Sequence, residues 1–149
     1  MTKKTTFKSP VTGKEYVGNL EPRYSGIPTF MRTPHAKSLK DIDIGLIGVP
    51  YDGGVTNRAG ARHGPREIRN QSSLMRTIHH INRVSPFDIA NIADLGDVAF
   101  SEPFNHQVVN EDITEFFKLV KKSGVIPLSV GGDHSVTYPI FKGIASDGP

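Results

Sequence analysis

The pentapeptide Gly131-Gly132-Asp133-His134-Ser135 follows directly on an apolar run, Val125–Val130. Two glycines after a strand let the backbone turn sharply through dihedrals that other residues avoid. The turn presents Asp133 and His134 at the strand's end. A neutral imidazole nitrogen is a common ligand for a divalent metal, and a nearby carboxylate can orient the ring. His134 is therefore the candidate metal ligand and Asp133 its candidate orienting partner. The plainer alternative is a turn in which Ser135 caps a following helix and His134 is an ordinary, satisfied side chain. One ligand does not make a site, so the residues alone leave both readings open.

A second segment, Pro50–Gly64, is rich in glycine and arginine and leads into Pro65. Glycine loops that enter helices can cradle anions. The spacing of Gly53, Gly54 and Gly60 matches neither of the common phosphate-loop patterns, so a phosphate-binding α/β domain is a weak alternative. Arg58, Arg62, Arg66 and Arg69 suit an anion or pairing with carboxylates equally well. A third loop, Gly96–Asn105, offers further polar groups. The other histidines, His35, His63, His79, His80 and His106, are weak signals. His79-His80 is expected to end a helix, where imidazolium favours the dipole. Adjacent helical residues point about 100° apart, so that pair cannot readily share one ion. The sequence has neither a Gly-x-Ser-x-Gly elbow nor a His-Glu-x-x-His pair.

These loops need elements to position them. Ile42–Val49 is a nearly continuous apolar run between Asp41 and Pro50, as expected of a strand buried on both faces. Pro65 opens an expected helix to about Ile81, with Ile68, Met75 and Ile78 as its apolar stripe. A second strand is expected over Ile89–Leu95. A helix over His106–Lys122 carries Val109, Ile113, Phe116, Phe117 and Val120 at helical spacing, with lysines in its last turn and Gly124 beyond. Val125–Val130 is the third strand, and a short helix carries Val136, Ile140, Phe141 and Ile144. Strand and helix alternate, which predicts an α/β fold with a parallel sheet. Binding sites in such sheets lie beyond the carboxyl ends of the strands, where all three loops fall. Residues 1–40 show no sustained periodicity and are punctuated by Pro and Gly. They are expected to form an extended arm anchored by Tyr16, Tyr24, Ile27, Phe30 and Met31.

Composition narrows the classes. The 149 residues suit about one domain, and the chain has no cysteine, which excludes a thiolate site or a cysteine nucleophile. Its 18 basic and 15 acidic residues leave a net charge of +3 without a basic block, so no nucleic-acid partner is expected. No apolar run approaches the ~18–20 residues that span a bilayer. The basic start leads into no apolar stretch of the kind found in a signal peptide. No membrane partner and a cytoplasmic location are the expectations.

Taken in order, four motifs carry a resemblance: Gly48-Val49-Pro50-Tyr51-Asp52-Gly53-Gly54, Arg58-Ala59-Gly60-Ala61-Arg62-His63-Gly64-Pro65-Arg66-Glu67-Ile68-Arg69, Asp94-Leu95-Gly96-Asp97 and Gly131-Gly132-Asp133-His134-Ser135. With the arm segment Pro22–Arg32, the succession resembles the amino-terminal half of the ureohydrolases, the agmatinase-like branch more than the arginases. The resemblance covers essentially the whole chain. It implies a three-layer α/β/α, arginase-like fold with a mainly parallel sheet, of which this chain holds the first three strands or so. Residues 41–149 would be the amino-terminal part of an incomplete ureohydrolase domain, behind the arm 1–40. It further implies two Mn²⁺ ions, with Ni²⁺ the alternative, bridged by a hydroxide that attacks a guanidinium carbon so that urea leaves. Imidazole and carboxylate ligands suit Mn²⁺. His134 matches the family's first metal-ligand histidine, with Asp133 beside it.

The family's remaining ligands come from an Asp-Ala-His-x-Asp segment and a later Asp-x-Asp segment, and neither follows His134 here. The expectation is thus a fragment or a truncated product, inactive on its own. Agmatine is the expected substrate of the parent enzyme, with 4-guanidinobutyrate, another guanidino acid or guanidine as alternatives. A homo-oligomer, trimer or hexamer, is the expected assembly. In a different class, the chain would be a non-catalytic module acting only through subunit association.

Overall fold

The computed structural model describes residues 6–17, 22–146 and 148. Strands β1 (Thr6–Lys8) and β2 (Glu15–Val17) form an antiparallel hairpin. Strand β3 (Ile44–Val49) is followed by helices α1 (Gly64–Ser72) and α2 (Pro86–Ile89), then strand β4 (Ile92–Asp97). Helix α3 (His106–Lys122), strand β5 (Ile126–Gly131) and helix α4 (Thr137–Ile144) complete the order. The larger sheet has the order β4-β3-β5, and both pairings are parallel.

Strand β3 explains the layers. Successive side chains on a strand point to opposite faces. Ile47 and Val49 join Val109, Ile113, Phe117 and Val120 of α3, and Ile140 of α4, in one core. Leu46 instead packs with Phe30 and Ile92 on the opposite face. Helices therefore cover one face, while the arm and α1 cover the other, which is why β3 reads as unbroken apolar sequence. Pro65 of α1 stands so close to Gly48 that a side chain on Gly48 would meet it. This is the three-layer α/β/α arrangement expected from the alternation of strand and helix.

The arm docks through a small number of contacts. Phe30 is 1% exposed, and its N–H donates to the buried Asp94 carboxylate at 2.9 Å. The Arg69 guanidinium lies 4.0 Å from the Phe30 ring centroid, a cation–π contact. Arg69 also pairs with Asp94 and with Asp97. Met31 N–H donates to Ser72 Oγ at 2.8 Å. Burial alone would raise the Asp94 carboxyl, but hydrogen bonds from Arg69, Phe30 N–H and Gly96 N–H outweigh it and hold it low.

Several expectations need correction. The arm is not wholly without regular structure, because Gly13 at φ +68° turns it back into the β1–β2 hairpin. Tyr24 and Ile27 are exposed, so they do not anchor the arm on this chain; Phe30 does. The Tyr16 side chain lies outside the described residues. The helix expected to reach Ile81 ends at Ser72, where the Ser72 and Ser73 hydroxyls bond back to the Arg69 and Asn70 carbonyls. Met75 and Ile78 consequently lie beyond the helix, both exposed. Pro86 starts the turn of α2, and β4 begins at Ile92 rather than Ile89. Strand β5 begins at Ile126 rather than Val125, and its Ile126 and Leu128, which share one face, are 63% and 50% exposed.

Truncating the Phe30 side chain removes a fully enclosed aromatic ring and the surface under Arg69. Phe30→Ala should lower unfolding stability by about 3–5 kcal/mol. Denaturant titration should show it, with proteolysis before residue 35 accelerating in parallel.

Candidate functional site

The parallel pairing of β3 with β5 brings their carboxyl ends side by side, with Val49 opposite Gly131. The two loops that follow are then stitched together. Gly132 N–H donates to Val49 O at 3.3 Å, and Asp133 N–H to Tyr51 O at 2.9 Å. A Cβ on Gly132 would collide with the Tyr51 and Val49 carbonyl oxygens, so only glycine permits this approach. The side chain of Asp133 completes the junction. One oxygen accepts from Gly54 N–H at 2.7 Å, and the other accepts from Ser135 N–H at 2.8 Å and from the Ser135 hydroxyl.

Asp133, not Ser135, is therefore the residue that caps the helical turn at 134–136. It also does not orient His134, since its hydrogen bonds go to Gly54 and Ser135. His134 is exposed just beyond the stitched turn, and its Nδ1 lies 3.0 Å from Thr137 Oγ1. The ring thus has a partner one helical turn ahead, while Nε2 has none among the described residues.

The Pro50–Gly64 loop is closed by a second carboxylate that the sequence reading did not single out. Asp52 is buried. It accepts from Gly60 N–H at 2.7 Å and Arg62 N–H at 3.2 Å, and it pairs with the Arg62 guanidinium. The Arg62 side-chain hydrogen bond, aided by Gly60 N–H, holds the Asp52 carboxyl down at about 2. Of the four arginines, Arg62 and Arg69 serve carboxylates within the fold. Arg58 and Arg66 have no such partner among the described residues. Beneath the loop, burial raises the Tyr51 phenol, with Asp133 adding to the effect.

His79 and His80 lie past the end of α1, so their expected place at a helix terminus is not realised. Their rings stack at 5.4 Å. No group of three His, Asp or Glu donors able to hold a metal comes together among the described residues. His134 is thus a single candidate donor here. Asp133, its neighbour in the chain, and Asp52 of the adjoining loop are engaged by the fold itself. The described residues do not by themselves form a metal site, and no reaction step follows from their geometry alone. Among the described residues, no helix is long and apolar enough to cross a membrane.

Comparison with known proteins gives this edge its context. The model of the Arginase family matches residues 42–149. The chain is 52% identical over 128 residues to guanidinopropionase of Pseudomonas aeruginosa, and 42% identical over 130 residues to guanidinobutyrase of the same organism. These matches cover 86% and 85% of this chain, but it spans only 40% of the length of each relative. Among solved structures, proclavaminate amidinohydrolase of Streptomyces clavuligerus superposes with a TM-score of 0.80 at 36% identity, covering 85% of this chain and 42% of that one. Trypanosoma cruzi formiminoglutamase, described with Mn²⁺, gives 0.68 at 25% identity, covering 82% and 41%.

The Asp52 clamp makes a signed prediction. A carboxyl held low in the folded state contributes stability that is fully present above its unfolded value, about 3.9. That contribution is lost as pH falls through about 2. The Asp52 carboxyl resonance should titrate near that lower value. Asp52→Asn should abolish the pH dependence of loop protection between those limits, read by hydrogen exchange at Gly60 and Arg62. Titration of Asp52 in the ordinary carboxylate range would contradict the clamp.

Proposed function

The chain belongs to the arginase family, and we propose that it is the amino-terminal part of a metal-dependent hydrolase of guanidino carboxylic acids. The observation that carries this reading is the 52% identity to a guanidinopropionase, with 42% to a guanidinobutyrase. Both names denote guanidino acids rather than agmatine. The alternative weighed from the sequence is therefore favoured over agmatine, which becomes the control substrate. The overall reaction adds water to the guanidinium carbon and breaks its bond to the alkyl nitrogen, giving urea and an amino acid.

Within this chain, Gly132 and Asp133 fix the turn after β5, and we assign His134, exposed at that turn, as a metal donor. The formiminoglutamase described with Mn²⁺ supports that metal, and Mn²⁺ accepts imidazole and carboxylate donors. A metal bound there would supply an activated water at neutral pH. The Asp52 clamp and the Gly54–Asp133 bond hold the β3 loop as a rim over the same edge. We also assign the exposed apolar side chains of Tyr24, Ile27, Leu74 and Ile81 to contacts between subunits of a homo-oligomer.

Two experiments on the full-length polypeptide test these readings. Urea release should be faster from 3-guanidinopropionate or 4-guanidinobutyrate than from agmatine, and His134→Ala should abolish it while lowering bound Mn²⁺. Normal metal content and turnover in that variant would remove His134 from the site. Deleting residues 1–35 should lower the mass seen by light scattering at micromolar concentration, and an unchanged mass would contradict the subunit contact.

A further inference from the structure

A side-chain chain outside the His134 turn leads back to it. Tyr51 Oη lies 3.0 Å from His106 Nδ1, and His106 Nε2 lies 3.2 Å from Asn110 Nδ2, one turn along α3. The Tyr51 and His106 rings stack with centroids 5.8 Å apart, and Phe100 meets the edge of Tyr51 at the same separation. Gly53 lies directly over the Tyr51 hydroxyl, where a Cβ would strike Oη. The same Tyr51 holds Asp133 N–H through its carbonyl oxygen.

Donor and acceptor chemistry gives this chain a direction. The Asn110 amide lies against His106 Nε2, and with its NH₂ turned to the ring, as placed, Nε2 accepts. In that arrangement the proton sits on Nδ1 and is donated to Tyr51 Oη. The arrangement has a cost, because Asn110 Oδ1 is buried without a hydrogen-bond partner among the described residues. Apolar side chains of similar shape would hold helix and loop together without that orphan. What the polar chain adds is orientation: it fixes the Tyr51 ring beneath Gly53, and with it the carbonyl that anchors Asp133.

We propose that His106 and Asn110 are positioning residues for the His134 turn, acting through Tyr51 in the order Asn110 to His106 to Tyr51 to Asp133. The kinetic arm of the test rests on the guanidino-acid hydrolase reading above; the spectroscopic arm does not. In the full-length polypeptide with ¹⁵N-labelled histidine, His106 should show a protonated Nδ1 and a bare Nε2. Tyr51→Phe should shift the Nδ1 resonance. With 3-guanidinopropionate, His106→Ala and Tyr51→Phe should each lower kcat by about tenfold, the lower end of what loss of an orienting partner costs, with KM nearly unchanged. His106→Asn, which returns a polar atom near the position of Nδ1, should restore most of the loss. A bare Nδ1 on His106, or unchanged kcat in both His106→Ala and Tyr51→Phe, would overturn the proposal. Should the wild-type protein release no urea from any guanidino acid, the hydrolase reading fails, and the His106 tautomer alone then decides this one.

Discussion

The carboxyl edge depends on one close approach: the Gly132 backbone lies against the carbonyl oxygens of Val49 and Tyr51 with no room for a Cβ. Everything presented there follows from that contact. It lets Asp133 N–H reach Tyr51 O and lets the Asp133 carboxylate bridge Gly54 and Ser135. Backbone groups that a loop would otherwise leave to water are thereby paired between two loops 79 residues apart. His134 leaves this junction at a fixed position, held in turn by Thr137.

The opposite face is organised by a second carboxylate. Asp94 is buried yet charged, and a buried carboxylate persists only when it is well partnered. Arg69, Phe30 N–H and Gly96 N–H supply the partners. The arrangement ties arm, α1 and β4 together around one group. It also accounts for the arm's backbone, in which Met31 and Arg32 stand at φ +55° and +59°. Such conformations are costly for residues with side chains and persist where the surroundings determine them. Here the buried Phe30 ring and the Met31–Ser72 hydrogen bond do so.

How far the sequence could be read varies with the kind of signal. Helix α3 was legible to the residue, because its apolar spacing is long and faces a single core. Strand β3 was legible because burial on both faces leaves no polar position. The region after Ser72 was misleading: Leu74, Met75 and Ile78 mimic a helical stripe, but they face outward and the serines end the helix first. The glycines before His134 marked a turn, yet not what it turns against. That depends on pairing with β3, far away in sequence. The role of Asp133 could not be read for the same reason, since Gly54 N–H is its partner. Tyr51 and His106 stand 55 residues apart and share no local pattern. Family motifs located the edge, whereas the bonds that shape it appear only once the strands are side by side.

If the His134 turn is one wall of a metal centre, manganese must bind at its imidazole. Anomalous diffraction at the manganese edge, from crystals of the full-length polypeptide grown with Mn²⁺, tests it most directly. A metal peak is expected within bonding distance of a His134 ring nitrogen, with Asp133 still bonded to Gly54 and Ser135. A well-occupied metal peak that leaves His134 unbonded would contradict it.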